Sequence, residues 1–388
     1  MAASPLPTRR HADVIVIGGG IIGAACAREY ARQGLTVAVV EPGPIGGGAT
    51  AASMGHLLTV DALDPADQTE SDFSRRSLQL WQDWLQAQEA HRELAEYSRC
   101  GTLWLAADAE ELALAERKCA WFGSQGLAAE MLKPEALFDA EPLLRRDLCG
   151  ALRAPDDGRV YPPRVAARWL QEAQAKVFRA RAVGFDGASV RLDDGRELWG
   201  AMTVICTGLA AQQHLPAGWL LPKKGHLAIT QRHPGRVQHQ LVELGYLKRA
   251  HLVDQDTVSF NLQPRPGGQL LIGSSRQIGR EDRELDPALL KQMLRQALHY
   301  MPGLGELSLL RCWTGVRPAS GDGQPLIGAH PFLRRCWLAT GHEGLGITTA
   351  LATAELLVQL SLGQPCSLDP SPFRPERFSE SQHVVAPA

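Results

Sequence analysis

Residues 13–41 read DVIVIGGGIIGAACAREYARQGLTVAVVE, and this stretch decides the fold. Asp13-Val14-Ile15-Val16-Ile17 is a short β-branched run of the kind found in a parallel strand buried on both faces. Helical spacing follows from Ile21 to Gln33, and Gly34 stops it. Leu35 to Val40 is a second buried strand with Glu41 at its carboxyl end. In Gly18-Gly19-Gly20-Ile21-Ile22-Gly23 the first glycine permits the tight turn, the second lets backbone approach a pyrophosphate, and the third lets helix pack on strand. A diphosphate placed there meets the helix's positive end and its free N–H groups. Glu41 follows Gly23 by 18 residues, where a carboxylate accepts hydrogen bonds from a ribose. The unit predicts a dinucleotide site, and an acidic Glu41 disfavours a phosphorylated ribose, hence NADP.

NAD and FAD share such a unit, so the choice between them rests on the rest of the chain. Pro42 to Ser53, PGPIGGGATAAS, is a long small-residue stretch in which backbone can close over a flat cofactor without side chains intruding; a flexible linker is the other reading of the same composition. At 388 residues the chain exceeds the size at which one core keeps growing, which predicts two domains. Hydrophobic residues at 45% and charged residues at 21% supply a large core and give no case for extensive disorder. The formal charge of -2, with no long block of one sign, argues against nucleic acid as a partner.

The eight cysteines are scattered without a C-x-x-C pair, so neither zinc nor an iron–sulfur cluster is expected in this chain. Their spacing suggests no disulfide framework, which makes a reducing compartment the expectation. Arg9 and Arg10 precede an apolar run that is too short and too β-branched for an export signal and leads directly into GGGIIG. No run of about 18 apolar residues suggests a membrane span. A cytoplasmic location follows, with peripheral association at the inner membrane face as its variant.

Further along, the texture changes near Ser77 to long helical patterns such as LQLWQDWLQAQEAHRELAEY. Strands are expected at Thr102–Ala106, Lys176–Ala182, Ser189–Leu192, Met202–Cys206 and Cys336–Thr340. Helices are expected at 109–124, 164–175, 287–300 and 347–360. Residues 225–230, 258–263 and 269–273 alternate or run apolar between Pro and Gly, which suggests an antiparallel sheet.

Five segments then match one family: GGGIIG, GGGATAASMGH, VICTG, CWTGVRPASGDGQPLIG and LATGHEGLGITTALATAELL. Together they resemble the D-amino-acid oxidase and glycine oxidase superfamily of flavoproteins, from about His11 to Phe378. MGHLLTVD, KKGHLAIT, QLVELGYLKRAH, LLIGSSRQIG and GHEGLGITTA are most similar to its D-hydroxyproline dehydrogenase branch, and hydrogen cyanide synthase subunits and opine oxidase subunits are similar too. The resemblance implies an α/β protein. A discontinuous Rossmann-type FAD-binding domain would comprise residues 11–78, 157–218 and 312–388. An α+β substrate domain on a mostly antiparallel sheet would comprise 79–156 and 219–311. The implied chemistry is oxidation of a C–N bond beside a carboxylate, with hydride passing to the flavin and the protein mainly orienting the reactants.

The resemblance also assigns roles. Arg317, in Thr314-Gly315-Val316-Arg317-Pro318, falls where related enzymes grip the substrate carboxylate, and its planar fork suits bidentate binding. The turn and helix start formed by His342, Glu343, Gly344, Leu345, Gly346, Ile347 and Thr348 would present N–H groups to the flavin. The glycine-oxidase pattern has a second carboxylate-binding arginine in this turn, whereas glycine and leucine stand here, which argues against a glycine-like substrate. His56 and His226 resemble positions near the flavin, and Tyr246 one that closes over substrate; each also reads as a packing residue. The remaining cofactor contacts are expected from Gly18, Gly20, Ile21, Ile22, Glu41, Pro42, Gly48, Ala49, Thr50, Met54 and Gly55. Val177 resembles the residue whose backbone meets the adenine, with Thr207 and Gly208 beside it.

Three functions are compatible with these residues. The first is an FAD-dependent dehydrogenase of a small, cyclic D-amino acid, working in a hetero-oligomer with iron–sulfur and flavin subunits or passing electrons to a quinone or other carrier. The second is an oxidase that uses oxygen. The third is a non-catalytic, FAD-stabilised scaffold subunit, against which Arg317 and the intact GHEGLG turn argue.

Overall fold

A computed structural model describes residues 11–63, 67–245 and 256–378. The opening strand Val14–Ile17 sits inside a six-stranded sheet ordered Leu326–Ala329, Cys336–Thr340, Met202–Ile205, Val14–Ile17, Val37–Val40, Lys176–Phe178. All neighbours are parallel except the edge strand Leu326–Ala329. Because successive side chains face opposite ways, the strand residues divide between two covers. Val14, Val16, Val37 and Val39 join a core built with the helices Ile21–Arg32, Gln68–Ala87, Pro162–Glu172 and Gly346–Leu362. Ile15, Ile17, Ala38 and Val40 instead pack under a three-stranded meander, Ala182–Phe185, Ser189–Leu192 and Glu197–Trp199.

The second sheet has eight strands, ordered Leu309–Ser320, Leu220–Thr230, Leu270–Ile278, Thr257–Pro264, Gln240–Glu243, Thr102–Ala106, Gly150–Ala154, Glu130–Leu132. It is antiparallel apart from the pair Gln240–Glu243 with Thr102–Ala106. Helix Pro287–Tyr300 covers one face through Leu289, Met293 and Ala297, which meet Phe260, Leu262 and Ile272. Asp286 caps that helix by accepting from Ala288 N and Leu289 N. At the far end of the opposite face, helix Ala109–Ser124 packs Ala115 and Phe122 against Trp104, Ala106 and Leu152. The remainder of that face looks across a cavity at the carboxyl ends of the first sheet.

Several elements differ from expectation. The strand expected over 176–182 stops at Phe178, and the chain turns so that Ala182–Phe185 joins the meander instead. The boundary expected after residue 78 lies inside the helix Gln68–Ala87, whose Phe73, Trp81, Trp84 and Leu85 all enter the cofactor-side core. The boundary expected at 312 lies inside the strand Leu309–Ser320, which pairs along its length with Leu220–Thr230. The strand that carries Arg317 therefore belongs to the second sheet.

Candidate active site

A cavity of about 1180 Å³ begins at the glycine turn and runs between the two sheets. Gly18 has φ +108°, and a Cβ there would stand 2.4 Å from the Cys206 carbonyl oxygen. At Gly23 an added Cβ would lie 2.0 Å from Gly18 O. These contacts force glycine at both positions and bring the helix end close to the strand. Thr50 Oγ1 accepts from Ile21 N at 3.0 Å, and the two Glu41 carboxylate oxygens accept from Gly19 N and Gly43 N, each at 2.8 Å. Gly18, Gly20, Ile21, Ile22, Glu41, Pro42, Gly48, Ala49 and Thr50 all line the cavity, as do Met54, Gly55, His56, Thr207 and Gly208. Val177 does not; this end of the wall is made by Arg181, Ala182 and Phe185. Val177 pairs with Val39 on the edge strand of the sheet, and its side chain packs against the helix-covered core.

Across the cavity the strand Cys336–Thr340 ends in the turn that carries His342 to Leu345, and the closing helix starts at Gly346. His342, Glu343, Gly344, Leu345, Gly346 and Ile347 line the wall. Thr348 stands just behind, its Oγ1 donating to His56 O at 3.1 Å. Glu343 adopts φ +45° and its N–H donates to Pro318 O at 2.8 Å. Its carboxylate pairs with Lys223 Nζ at 2.8 Å and Arg276 Nη2 at 3.1 Å, tying the turn to the second sheet.

Arg317 lies opposite Lys223 in the second sheet. Its guanidinium rests against Gly225, where an added Cβ would come within 2.7 Å of Nη2, and Nη1 donates to Ser275 O at 3.2 Å. Glycine at 225 thus makes room for the arginine inside the cavity. The neighbouring His226 points to the other face: Asp286 N donates to Nε2 at 2.9 Å and Nδ1 lies 2.9 Å from Ser275 Oγ. With Nε2 accepting, Nδ1 carries the proton. Burial, with Lys224 adding to it, holds this ring below the usual imidazole pKa. His226 does not line the cavity; strand alternation turns it toward the cap of helix Pro287–Tyr300. Tyr246 lies outside the described residues.

His56 enters the cavity wall with Nδ1 hydrogen-bonded to Gln240 Oε1, and Gln263 Nε2 stands 3.1 Å from the same nitrogen. Burial lowers its pKa to about 4, and burial lowers that of His342 to about 3. Both rings are therefore neutral in the folded chain, whereas in the unfolded chain they take up protons below about pH 6.5. Their contribution to stability is complete above that pH and is lost as pH falls toward 4 and 3. His342 Nε2 lies 2.9 Å from Thr353 Oγ1, and His342→Gln, which keeps a partner for that hydroxyl, is expected to flatten the fall in Tm through this window. An unaltered slope in a pH series of melting curves would remove His342 from the account.

Several wall residues escaped sequence reasoning. Lys223, Ser275, Arg276 and Arg283 line the cavity from the second sheet and its following loop. Trp104, Lys118, Asp61 and Glu70 line its far end. Burial, then Asp67, Glu343 and Asp61, push the Glu70 carboxyl up to about 7. Asp61, Lys223, Ser275 and Arg276 sit in segments that carry the family resemblance without standing out singly, whereas Glu70, Trp104, Lys118 and Arg283 lie in no such segment. Among the described residues, no group of three or more His, Cys, Asp and Glu side chains is placed to hold a metal, and no helix is long and apolar enough to cross a membrane.

The cavity suits a long, flat dinucleotide. Glu41 stands at the end of the second strand, and Thr207 Oγ1 is buried in the wall without a partner among the described residues. At Gly48 and Gly344 an added Cβ would meet nothing within 4 Å, so both open onto free space. A parallel sheet with this glycine turn, facing a second sheet across a shared cavity, defines a dinucleotide-dependent oxidoreductase. The chain belongs to the DAO family of FAD dependent oxidoreductases, whose pattern it matches over residues 13–360. Its cofactor is FAD.

Among curated relatives it is 27% identical to glycine oxidase of Bacillus licheniformis, over 92% of this chain and 95% of that one. It is also 27% identical to hydrogen cyanide synthase subunit HcnC of Pseudomonas aeruginosa, over 98% and 99%. Among solved structures, glycine oxidase from Geobacillus kaustophilus superposes with a TM-score of 0.79 at 25% identity, covering 94% of this chain and 98% of the other. L-proline dehydrogenase from P. horikoshii shares the fold, with a TM-score of 0.80 at 23% identity over 96% and 99%.

Proposed function

We propose that this protein is an amino-acid dehydrogenase that oxidises the C–N bond of a small, cyclic D-amino acid such as cis-4-hydroxy-D-proline. The observation that carries the reading is Arg317, whose guanidinium lines the same cavity as the N-terminal turn of the closing helix. A planar cation on one wall fits a substrate carboxylate. The likeness to glycine oxidases and to HcnC supports an amino-acid substrate, and the glycine and leucine at 344 and 345 favour one larger than glycine.

In this reading Gly18 to Ile22 and the first helix take the diphosphate, and Glu41 takes the ribose. Arg181 and Ala182 border the adenine, and Leu345 to Ile347 present the closing helix's N-terminal amides to the flavin ring. The chemistry that bound FAD supplies is acceptance of a hydride from the substrate α-carbon. Arg317 holds the carboxylate and so fixes which face of the α-carbon is presented. His56 stays neutral and borders the substrate amine without adding a like charge. Tyr246, outside the described residues, takes the part of closing over the substrate that the family resemblance gives it. Electrons then pass to partner subunits that carry iron–sulfur and flavin centres, or to a quinone or other carrier at the inner membrane face.

Anaerobic mixing of the holoenzyme with cis-4-hydroxy-D-proline, D-proline, glycine, sarcosine and an opine tests this reading. Loss of the yellow flavin absorbance is expected with the cyclic D-amino acids first. If every compound leaves the colour unchanged, the substrate assignment fails. The likeness to glycine oxidases favours a second reading in which oxygen is the acceptor; repeating the assay in air with peroxide detection separates the two.

A further inference from the structure

The far end of the cavity holds a polar cluster that neither cofactor binding nor carboxylate binding uses. Lys118 is 1% exposed, and it lies on a helix that also buries Glu111 in its first turn and the apolar Ala115 and Phe122 on either side of Lys118. Its Nζ stands 2.8 Å from Asp61 Oδ1 and 4.4 Å from the centroid of the Trp104 ring. Burying an ammonium is costly even when paired, and core packing does not call for it. Trp104, 7% exposed, has an Nε1–H that is buried with no hydrogen-bond partner among the described residues. Lys118, Asp61 and Trp104 all line the cavity.

The charges indicate what this cluster accepts. Lys118 and Asp61 cancel one another, while Glu70 lies near Asp61 and Asp157 near Lys118. A further anion would meet net negative surroundings. A hydroxyl fits instead, since it accepts from the Trp104 indole or the Lys118 ammonium and donates to Asp61.

The span agrees. Arg317 reaches Ser275 on the strand Leu270–Ile278, and three strand steps separate that strand from Thr102–Ala106, roughly 14 Å at about 4.8 Å each. A carboxyl carbon and a hydroxyl oxygen four single bonds apart, at about 1.5 Å per bond, with a hydrogen bond of about 2.9 Å at each end, cover at most about 12 Å. Trp104 and Lys118 both line the cavity, and their side chains are long enough to supply a difference of this size.

The geometry points to Trp104, Lys118 and Asp61 as the site that recognises a hydroxyl on the substrate, about four bonds from the carboxylate. This assignment rests on Arg317 as the carboxylate anchor and deepens that reading into a preference for hydroxylated over plain cyclic amino acids.

Binding without turnover provides the test. Benzoate and 3-hydroxybenzoate carry the same four-bond separation and cannot be oxidised at a C–N bond. Titrated calorimetrically into the holoenzyme, 3-hydroxybenzoate is expected to bind about tenfold more tightly than benzoate. Trp104→Phe, which removes the N–H but keeps an aromatic ring beside Lys118, and Asp61→Asn, which keeps an acceptor for Lys118, should each bring the ratio of the two Kd values close to one. Equal affinity for the two probes in the unmodified protein, no saturable binding of either, or variants that weaken both probes while preserving the ratio would each overturn the assignment. If the ratio behaves as expected while no cyclic amino acid bleaches the flavin, the hydroxyl site stands and the proposed substrate falls.

Discussion

Arg317→Ala is expected to lower kcat/KM for the amino-acid substrate by about 2–4 kcal/mol in barrier terms, because two charge-assisted hydrogen bonds to a carboxylate contribute about 1.5–3 kcal/mol each. The guanidinium lies over Gly225, so truncation leaves an opening that water fills and does not collapse the sheet. Flavin content and Tm should therefore stay near those of the parent protein. Arg317→Lys should recover only part of the loss, since a point charge cannot make the paired contact. The measurement is single-turnover bleaching as a function of substrate concentration. Unchanged kinetics in a fully flavinated Arg317→Ala protein would remove the arginine from the site.

The second large effect is expected at Gly18. Its φ of +108° is a conformation that L side chains avoid, and an added Cβ would stand 2.4 Å from the Cys206 carbonyl oxygen. Backbone strain of about 1–3 kcal/mol and overpacking of about 1–3 kcal/mol make Gly18→Ala costly by about 2–6 kcal/mol. Relief requires the first strand to move away from Met202–Ile205, which also displaces the start of the first helix. The variant should purify with little bound flavin and a clearly lower Tm. An absorbance ratio and melting curve equal to those of the parent would show that the turn tolerates a side chain.

Much of this arrangement was legible in the sequence where local pattern and environment agree. The strands at 102–106 and 336–340 and the helices at 109–124 and 287–300 stand where periodicity and caps put them. The glycine turn and Glu41 were equally readable, since each residue there answers a local backbone demand. Other features depend on long-range contact. The strand at 176–178 ends early because the meander captures residues 182–185, and Val177 packs on the helix-covered face, outside the cavity wall. His226 and Gly225 are adjacent in sequence, yet the pleat sends one toward a helix cap and leaves the other beneath the arginine. Lys118 and Asp61 come from separate segments, and nothing in either predicts an ammonium buried over an indole. Arg276 is visible as part of the wall only once the Glu343 turn has folded back onto the second sheet.

The carboxylate of Glu41 already holds two backbone amides, those of Gly19 and Gly43, before any nucleotide is considered. The loop around the ribose position is thereby set during folding of the chain. Each of these carboxylate oxygens keeps a further lone pair for a ribose hydroxyl, so one side chain can serve the loop and the cofactor together.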